Sequence, residues 1–505
     1  EGLWDLAAQG VKTSWNPKGD DSLTGKFDGG LYWPVIPDGP PPEPKVRRTV
    51  ERRGVERIEG KLALNGALVV PLGSWRPSMR GRLNTGLKWL LYDETVTLSG
   101  AEFTGFGSIL SAKGLVDYSG KDVEARFEAD CKINAREWLR AWLSEIPKGF
   151  VPPRLVTGKT TVTGTPQTLR FDKIKLEMDG APVSGDIAWQ EAASSRNGDA
   201  GQWTARLTAD HVDFDNLFPP PPNGQAPEPP SKTPWNLAFA KGLSLDIQLL
   251  LRNAKWQKLS SSSTTLTGTL QRDRFSLHGD IAGFYSGGGV ILLQGTLVPE
   301  KSQVTLRKGL LQLQGMDLGK LLHDYSHSSS YGGTGELVVD VSGVLQCNAD
   351  IPAKLSGIWS LNIKDGLYPA FVGSSESTLR NTFSSAAMSG IMDRGVLRCS
   401  DFTLKGAMVD MAGSGWYDLN TRDMDLRISV TVAKVPTVPV RFYGNASAPR
   451  MRVRGVDMVV QTVQAAGSTM FGLVRGVFEL PGRAVSGIGA LFGSDDKAGG
   501  KGKPR

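Results

Sequence analysis

Apolar and polar residues alternate along much of this chain. In two stretches, residues 243–251 and 424–432, every second position is Leu, Ile, Val or Met. In the second stretch the positions between them are Asp, Arg, Ser and Thr. A period of two is typical of a β-strand with one apolar face and one polar face. The pattern recurs on the order of 25 times, so the sequence predicts a mainly β fold.

A sheet with so many strands is wide. Neighbouring strands lie ~4.8 Å apart, which gives a width on the order of 100 Å, and open sheets of that width curl or split. The sequence contains few long amphipathic helices that could cover the apolar side. We therefore expect a long, curled antiparallel sheet that forms a hydrophobic groove, with short helices interspersed.

A unit of strand, capped helix and strand recurs along the chain. Asn134, Asp213 and Asp317 each follow an alternating stretch and precede a short run with helical spacing, as expected of helix N-caps. Strands are expected after these helices, around residues 160–163, 243–251 and 337–341. The uneven spacing favours a duplicated β unit with variable loops over a rigid solenoid. Chance similarity is the alternative, because the motif is short.

Several short motifs predict turns. Asn65–Gly66, Asp179–Gly180 and Asp365–Gly366 are typical of two-residue hairpin connections. With the other Gly positions they predict strands of about five to nine residues. No Lys-Ser/Thr pair follows the Gly-rich stretch 285–289, so it does not match a phosphate-binding loop. It predicts a tight bend or a bulge in the sheet instead.

The period changes to four and three near the C-terminus, which predicts an amphipathic helix. Basic residues flank the apolar stripe and continue into the tail. Two interpretations remain open: a helix at a membrane interface or at the open end of the groove, or an ordinary helix that caps the sheet. The apolar stripe consists of Val459, Val463, Ala466, Met470, Leu473, Val477 and Leu480.

Changes in composition divide the chain into five segments. They are an N-terminal β region at 1–120 with a Pro-rich loop at 34–44, a β repeat unit at 121–235 that ends in a Pro-rich loop at 219–234, a β region at 236–455, an amphipathic helical segment at 456–493 and a flexible basic tail at 494–505. Both Pro-rich segments are expected to be exposed loops, because Pro lacks the N–H group that a sheet requires.

The charge favours an anionic partner. The formal net charge is +7 and the pI is about 9.1, which suits a membrane surface or a nucleic acid. The chain has no run of Lys and Arg interleaved with aromatic residues and no helical DNA-reading motif. We therefore do not expect a nucleic-acid partner, and an ordinary solvated basic surface is the alternative.

The sequence contains no convincing catalytic or metal-binding motif. The three cysteines are far apart, and His323 and His327 lack the Glu of a zinc-binding helix. No G-x-S-x-G motif is present, and no pair among the many carboxylates stands out as a glycosidase pair. We therefore expect no enzymatic activity, no metal and no cofactor. The chain begins at Glu1, and we expect it to be a piece of a longer or processed product.

A series of short motifs in the second half of the chain occurs in a specific order. They are Phe284-Tyr-Ser-Gly-Gly288, Met316-Asp-Leu-Gly-Lys-Leu-Leu322, Gly335-Glu-Leu-Val-Val-Asp340, Leu355-Ser-Gly-Ile-Trp-Ser-Leu-Asn-Ile-Lys-Asp-Gly366, Gly395-Val-Leu-Arg398, Asp401-Phe-Thr-Leu-Lys405, Ala412-Gly-Ser-Gly-Trp-Tyr-Asp-Leu419, Met424-Asp-Leu-Arg-Ile-Ser429 and Pro439-Val-Arg-Phe-Tyr-Gly444. With these motifs the chain resembles the AsmA family over residues 200–450. Residues 388–452 resemble the C-terminal domain of that family.

The resemblance implies a protein of the Gram-negative envelope, tethered to the inner membrane by an N-terminal helix outside this chain. Its β structure would lie in the periplasm and would be similar to bridge-like lipid transfer proteins. The implied function is the movement of phospholipid between the inner and outer membranes along a hydrophobic β-groove, in support of outer-membrane biogenesis. The implied partners are phospholipid acyl chains, both membrane surfaces and envelope proteins.

On this interpretation the apolar positions of the strands line a lipid groove. The first alternative is a structural or assembly factor for outer-membrane proteins or lipopolysaccharide, in which a second protein layer fills the apolar face. The second is an envelope enzyme that acts on glycan or lipid. The expected lining residues are Leu243, Leu245, Ile247, Leu249, Leu251, Leu337, Val339, Val341, Leu361, Ile363, Met424, Leu426, Ile428, Val430 and Val432.

Overall fold

The protein is mainly β, as the alternation predicts, and its strands pair antiparallel. The structure, a computed structural model, divides into two compact units: residues 1–144 with 152–208 (unit 1) and residues 145–151 with 209–505 (unit 2). It describes residues 6–15, 24–34, 57–69, 78–91, 93–120, 123–142, 151–191, 201–217, 243–256, 259–326, 332–347, 349–369, 380–407, 409–432, 437–445 and 450–453, with positions 232, 234, 235, 237 and 240.

Unit 1 contains an antiparallel meander, in which each strand pairs with the next one along the chain. One helix, α1 (Ala135–Trp142), connects two of its strands. The strands are β1 (Leu6–Trp15), β2 (Thr24–Pro34), β3 (Arg57–Val69), β4 (Ser78–Leu90), β5 (Thr95–Gly105), β6 (Ser108–Asp117), β7 (Glu124–Ile133), β8 (Val156–Thr165), β9 (Thr168–Met178) and β10 (Ala181–Gln190).

A further strand, β11 (Gln202–Asp210), crosses the boundary between the units in the sequence. Unit 2 continues with the helices α2 (Phe214–Leu217), α3 (Leu318–Ser326) and α4 (Asp350–Lys354) and a 3₁₀ turn (Pro299–Lys301). Its strands are β12 (Ser244–Trp256), β13 (Leu259–Gln271), β14 (Arg274–Phe284), β15 (Gly287–Val298), β16 (Gln303–Asp317), β17 (Gly332–Leu345), β18 (Ser356–Pro369), β19 (Arg380–Asp393), β20 (Val396–Gly406), β21 (Val409–Asp418), β22 (Asp423–Val432), β23 (Val438–Asn445) and β24 (Arg450–Val453).

Strands β12 to β24 form a second antiparallel meander. The two stretches of strict alternation are β12 and β22, and the second begins within one residue of the predicted start. The 24 described strands agree with the predicted number.

The predicted helix caps are confirmed at all three positions. The Asn134 Oδ1 atom accepts the N–H of Glu137 at 3.3 Å, at the start of α1. The Asp317 Oδ1 atom accepts the N–H of Lys320 at 3.0 Å, at the start of α3. The Asp213 Oδ1 atom accepts the N–H of Asp215 at 2.9 Å, at the start of α2. The unit of strand, capped helix and strand therefore occurs three times, with β8, β12 and β17 as the strands that follow.

One of the predicted hairpin turns is confirmed. Asp179 and Gly180 join β9 to β10, where Met178 pairs with Ala181. Both turn residues have positive φ, +48° and +89°, as a two-residue connection between twisted strands requires.

The turn predictions at Asn65–Gly66 and Asp365–Gly366 are wrong, because these residues lie inside β3 and β18. Asn65 and Gly66 pair with consecutive residues of β4 without a shift in register. Asp365 has a positive φ of +48°, and pairing with β19 resumes at Gly366. Pairing with the adjacent strand continues on both sides of each dipeptide. This pairing outweighs the preference of Asn-Gly and Asp-Gly for a turn.

Most strands are longer than the predicted five to nine residues; β16, for example, has 15. Gly268 and Gly279 lie within β13 and β14 and do not end them. The Gly-rich stretch forms the predicted bend. Tyr285 and Ser286 connect β14 to β15 with positive φ, and the register shifts just before them.

Several sequence predictions lie outside the described residues. They include nearly all of both Pro-rich loops, His327, and everything after Val453, which covers the predicted amphipathic helix, its stripe and the basic tail. The boundary between the compact units falls at residue 208, whereas the segment boundaries expected from composition lie at 120 and 235.

Candidate functional site

Antiparallel register aligns apolar residues of unit 2 in long rows. Residues directly opposite one another on neighbouring strands point to the same face of the sheet. We call one such set row A; it crosses all strands from β12 to β24, and Thr264 is its one polar member. Row A consists of Leu251, Thr264, Ile281, Gly289, Leu313, Leu337, Leu361, Met388, Phe402, Gly413, Ile428, Val440 and Val453.

A second set, row B, runs beside row A on the same face and has no polar member other than a cysteine. It also crosses every strand from β12 to β24. Row B consists of Leu249, Leu266, Gly279, Ile291, Leu311, Val339, Trp359, Gly390, Cys399, Gly415, Leu426, Phe442 and Met451.

The two rows bring together residues from all four strands that the sequence analysis selected for the groove. The remaining expected lining residues lie two or four positions away from row members on the same strands, and so on the same face. They are Leu245, Ile247, Val341, Ile363, Met424 and Val430. Leu243 directly precedes β12. Val432 is the last residue of β22, and its side chain is not among those that the structure describes.

Exposure varies along this face. Leu361, Ile363 and Met424 are 1–2% exposed and belong to a buried apolar cluster, to which α3 and α4 contribute Leu318, Leu321 and Ile351. Leu251, Leu337 and Val430 are also buried. Val339, Val341, Leu426 and Ile428 are half-buried and pack against the cluster. Leu243, Leu245, Ile247 and Leu249 are half-buried too. Whether these residues line a groove stays a prediction.

Glycines in the rows let large side chains fold over the sheet. A Cβ atom at Gly279 would lie 2.7 Å from Leu266 Cδ2 and 3.5 Å from Ile291 Cβ. The space that a side chain would occupy is therefore taken by the neighbours on either side.

Unit 1 has an apolar row of its own, in a region where the sequence analysis named no lining residue. Row C crosses β3 to β10. In contrast to the most buried members of rows A and B, its side chains are all half-buried. The same period of two is present in these strands, but bulges such as that between Lys159 and Thr161 interrupt it. Row C consists of Gly60, Leu87, Leu98, Gly114, Phe127, Val162, Phe171 and Ile187.

The opposite face of unit 1 is polar. Lys113 pairs with Glu128 at 3.0 Å and Lys159 with Asp130 at 3.2 Å, both across neighbouring strands. A depression with a volume of about 770 Å³ lies at β5 to β9 and is lined by Thr and charged side chains, among them Arg126, together with the apolar side chains of Leu98, Leu115 and Ala125. Its ion pairs are largely exposed, so solvent screens them.

The three thiols are free. Burial raises the pKa of Cys131 and also that of Cys399, both of which face the apolar side. A raised pKa keeps a thiol protonated and unreactive. In the described part of the chain, no group of His, Cys, Asp and Glu side chains is arranged to hold a metal ion. His323 is an exposed residue of α3.

No family model matches the chain, and no curated protein matches it either. The resemblance to the AsmA family therefore stays a prediction. No helix within the described ranges has both the length and the apolar character needed to cross a membrane.

Proposed function

We propose that the protein binds lipid acyl chains along the apolar faces of its sheets and moves phospholipid between the inner and outer membranes from the periplasm. The observation that carries the proposal is the continuity of the apolar rows. Rows A and B each cross 13 strands, and row C crosses eight strands with side chains only half-buried. The proposal includes no enzymatic step and no cofactor.

The physics of such a surface favours chain binding over headgroup recognition. Each CH₂ group buried against it contributes about 0.8 kcal/mol. Aliphatic side chains and glycines offer no directional contacts, so the surface discriminates little between headgroups. All the side chains of row C are half-buried rather than buried, among them Phe127, Val162 and Phe171. We expect the protein to bind phospholipids of several headgroup classes with similar affinity.

Site-specific photo-crosslinking tests where lipid binds. A benzoylphenylalanine at position 127 replaces an aromatic side chain of row C, whereas the same group at position 128 replaces Glu128 on the opposite face. We expect lipid adducts, detected by mass spectrometry of the protein purified from membranes, at position 127 and not at 128. Equal labelling at both positions, or none at either, would contradict the proposal.

A second candidate function is that of a structural or assembly factor for outer-membrane proteins or lipopolysaccharide, without a lipid conduit. The observation that favours it is the buried cluster of unit 2, in which Leu361 and Met424 are closed off from solvent. A face that protein atoms already fill leaves less surface for lipid. The two functions make different predictions for charged substitutions on the apolar face.

The substitution Ile247→Glu separates the two functions. Ile247 is half-buried on the apolar side of β12, and the adjacent Gln248 is exposed on the other side. If the face binds lipid, Ile247→Glu keeps the fold, as judged by circular dichroism and urea denaturation, but loses co-purified lipid, while Gln248→Glu keeps both. If the face is a packed core, Ile247→Glu unfolds the protein, because a buried carboxylate without a partner costs several kcal/mol.

A further inference from the structure

The polar face of β22 to β24 contains an unusual row of like charges. Arg427 of β22 lies directly opposite Arg441 of β23, which lies directly opposite Arg452 of β24. Like charges directly opposite one another destabilise a sheet. We therefore expect the positive charge of this row to be neutralised by anionic groups outside the sheet.

A single carboxylate neutralises part of this charge. Arg441 donates to Asp425 through Nε at 2.9 Å and through Nη2 at 2.6 Å, and Arg427 Nε lies 4.0 Å from the same carboxylate. The Asp425 side chain is 15% exposed, whereas Arg427 is 75% exposed. One acid cannot balance the three arginines, so the row keeps a net positive charge.

The neighbouring row on the same face adds exposed apolar, aromatic and further basic side chains. Ile358 and Ile391 are 59% and 51% exposed, and Trp416 is 36% exposed. The Arg441 guanidinium lies 5.1 Å from the ring centroid of Tyr443. From β18 to β24 this row consists, in register order, of Ile358, Ile391, Arg398, Trp416, Asp425, Tyr443 and Arg450, and Asp340 of β17 lies directly opposite Ile358.

We propose that these two rows, which we call the arginine patch, dock the protein on an anionic membrane surface. Arginines pair with lipid phosphates, Trp and Tyr side chains favour the headgroup region, and exposed isoleucines add apolar contact with the acyl boundary. The described part of the patch holds five arginines and one acid, and this excess matches a surface of phosphate groups. The isoleucines favour a membrane over a soluble polyanion, which offers no apolar region.

This inference concerns the polar face and goes beyond the proposed lipid binding on the apolar face. A membrane contact of this kind requires only that the patch be accessible. The test is therefore designed so that loss of the patch and loss of apolar-face binding give different results.

Vesicle co-sedimentation of the full chain tests the docking. We expect binding to vesicles of phosphatidylcholine mixed with phosphatidylglycerol, little binding to pure phosphatidylcholine, and weaker binding as salt increases. The double variant Arg427→Gln/Arg452→Gln removes two charges and leaves the Asp425–Arg441 pair in place. Since each basic residue near an anionic surface contributes on the order of one kcal/mol, we expect it to bind about thirty-fold more weakly.

The matched control is Arg307→Gln/Lys308→Gln. It removes two exposed positive charges from β16, in the same unit but four strands before β20, which carries the first arginine of the patch, Arg398. We expect less than about a threefold change from this control, since charge at a distance is screened. Ile391→Gln removes an apolar contact, and we expect it to weaken binding without altering the salt dependence.

Three outcomes would overturn the proposal: equal binding to neutral and anionic vesicles, equal losses in the patch and control variants, or binding to heparin without binding to vesicles. A urea denaturation curve like that of the unmodified protein shows that the patch variant is folded. Ile247→Glu, which tests the apolar face, should still bind anionic vesicles, so failure of the proposed function and failure of this inference are distinguishable.

Discussion

Asp425 accepts two hydrogen bonds from a single guanidinium, that of Arg441. The Arg441 guanidinium, which hydrogen-bonds to this carboxylate, holds the pKa of Asp425 below its usual value. Because Arg441 is 45% exposed, solvent screens the pair. We expect Asp425→Asn to lower the free energy of unfolding by about 1 kcal/mol at neutral pH. Urea denaturation of both proteins measures the difference.

The same pair predicts a pH dependence. A carboxyl group whose folded-state pKa is lowered contributes stability above its unfolded pKa of about 3.9, and this contribution is lost as the pH falls through the folded-state pKa. The difference between the unmodified protein and Asp425→Asn should therefore shrink below about pH 4. A difference that is constant with pH would contradict the assignment. Glu128→Gln, which breaks an exposed pair with Lys113, is the control, and we expect it to change stability less than Asp425→Asn does.

At the scale of the element, the turn between β9 and β10 depends on backbone conformation alone. Gly180 has a φ of +89°, and nothing lies within 4 Å of a Cβ atom placed there. We expect Gly180→Ala to lower the free energy of unfolding by about 1–2 kcal/mol, because an L side chain is disfavoured at positive φ. Gly180→Asn should lower it by less, since Asn tolerates this region. Urea denaturation compares the variants, and equal losses for Ala and Asn would contradict this explanation.

The strands themselves are predictable from the sequence to different degrees. Strict alternation places β22 within one residue at its start. β12, in contrast, extends five residues past the alternating stretch to Trp256, through Asn253 with a φ of +51°. The end of that strand is set by the pairing of Trp256 with Leu259 on β13. When the end of a strand depends on pairing with a second strand, the sequence of the first strand alone does not predict where it ends.

The rows of the candidate site are less predictable than the strands. The sequence identifies which face of each strand is apolar, as in β12 and β22. It does not identify that Leu251 and Val453 belong to one row, because this requires the register of every strand between them. Each bulge, such as that between Gly185 and Ile187, shifts the register by a residue. For the same reason, the sequence does not reveal that the three arginines lie opposite one another.

At the scale of the whole molecule, the two units differ in how many of their apolar side chains are buried. In the described part of unit 1, the buried residues with apolar side chains are Ala101, Pro152, Pro153 and Ile174. Unit 2 has a buried cluster that extends from Trp235 to Phe442. Since burial of apolar area is the dominant source of stability, unit 1 should be the less stable unit when no lipid is bound.

Hydrogen exchange measured by mass spectrometry at increasing urea concentrations tests this difference. We expect the amides of unit 1 to lose protection at lower urea than those of unit 2, because less apolar surface is buried there. A ligand that binds only the folded state stabilises it by about 2.7 kcal/mol at a free concentration 100 times its Kd. Phospholipid bound to row C should therefore raise the urea midpoint of unit 1 more than that of unit 2. If both units lose protection at the same urea concentration, the expected stability difference is contradicted. If lipid leaves the midpoint of unit 1 unchanged, the assignment of row C to lipid binding is contradicted.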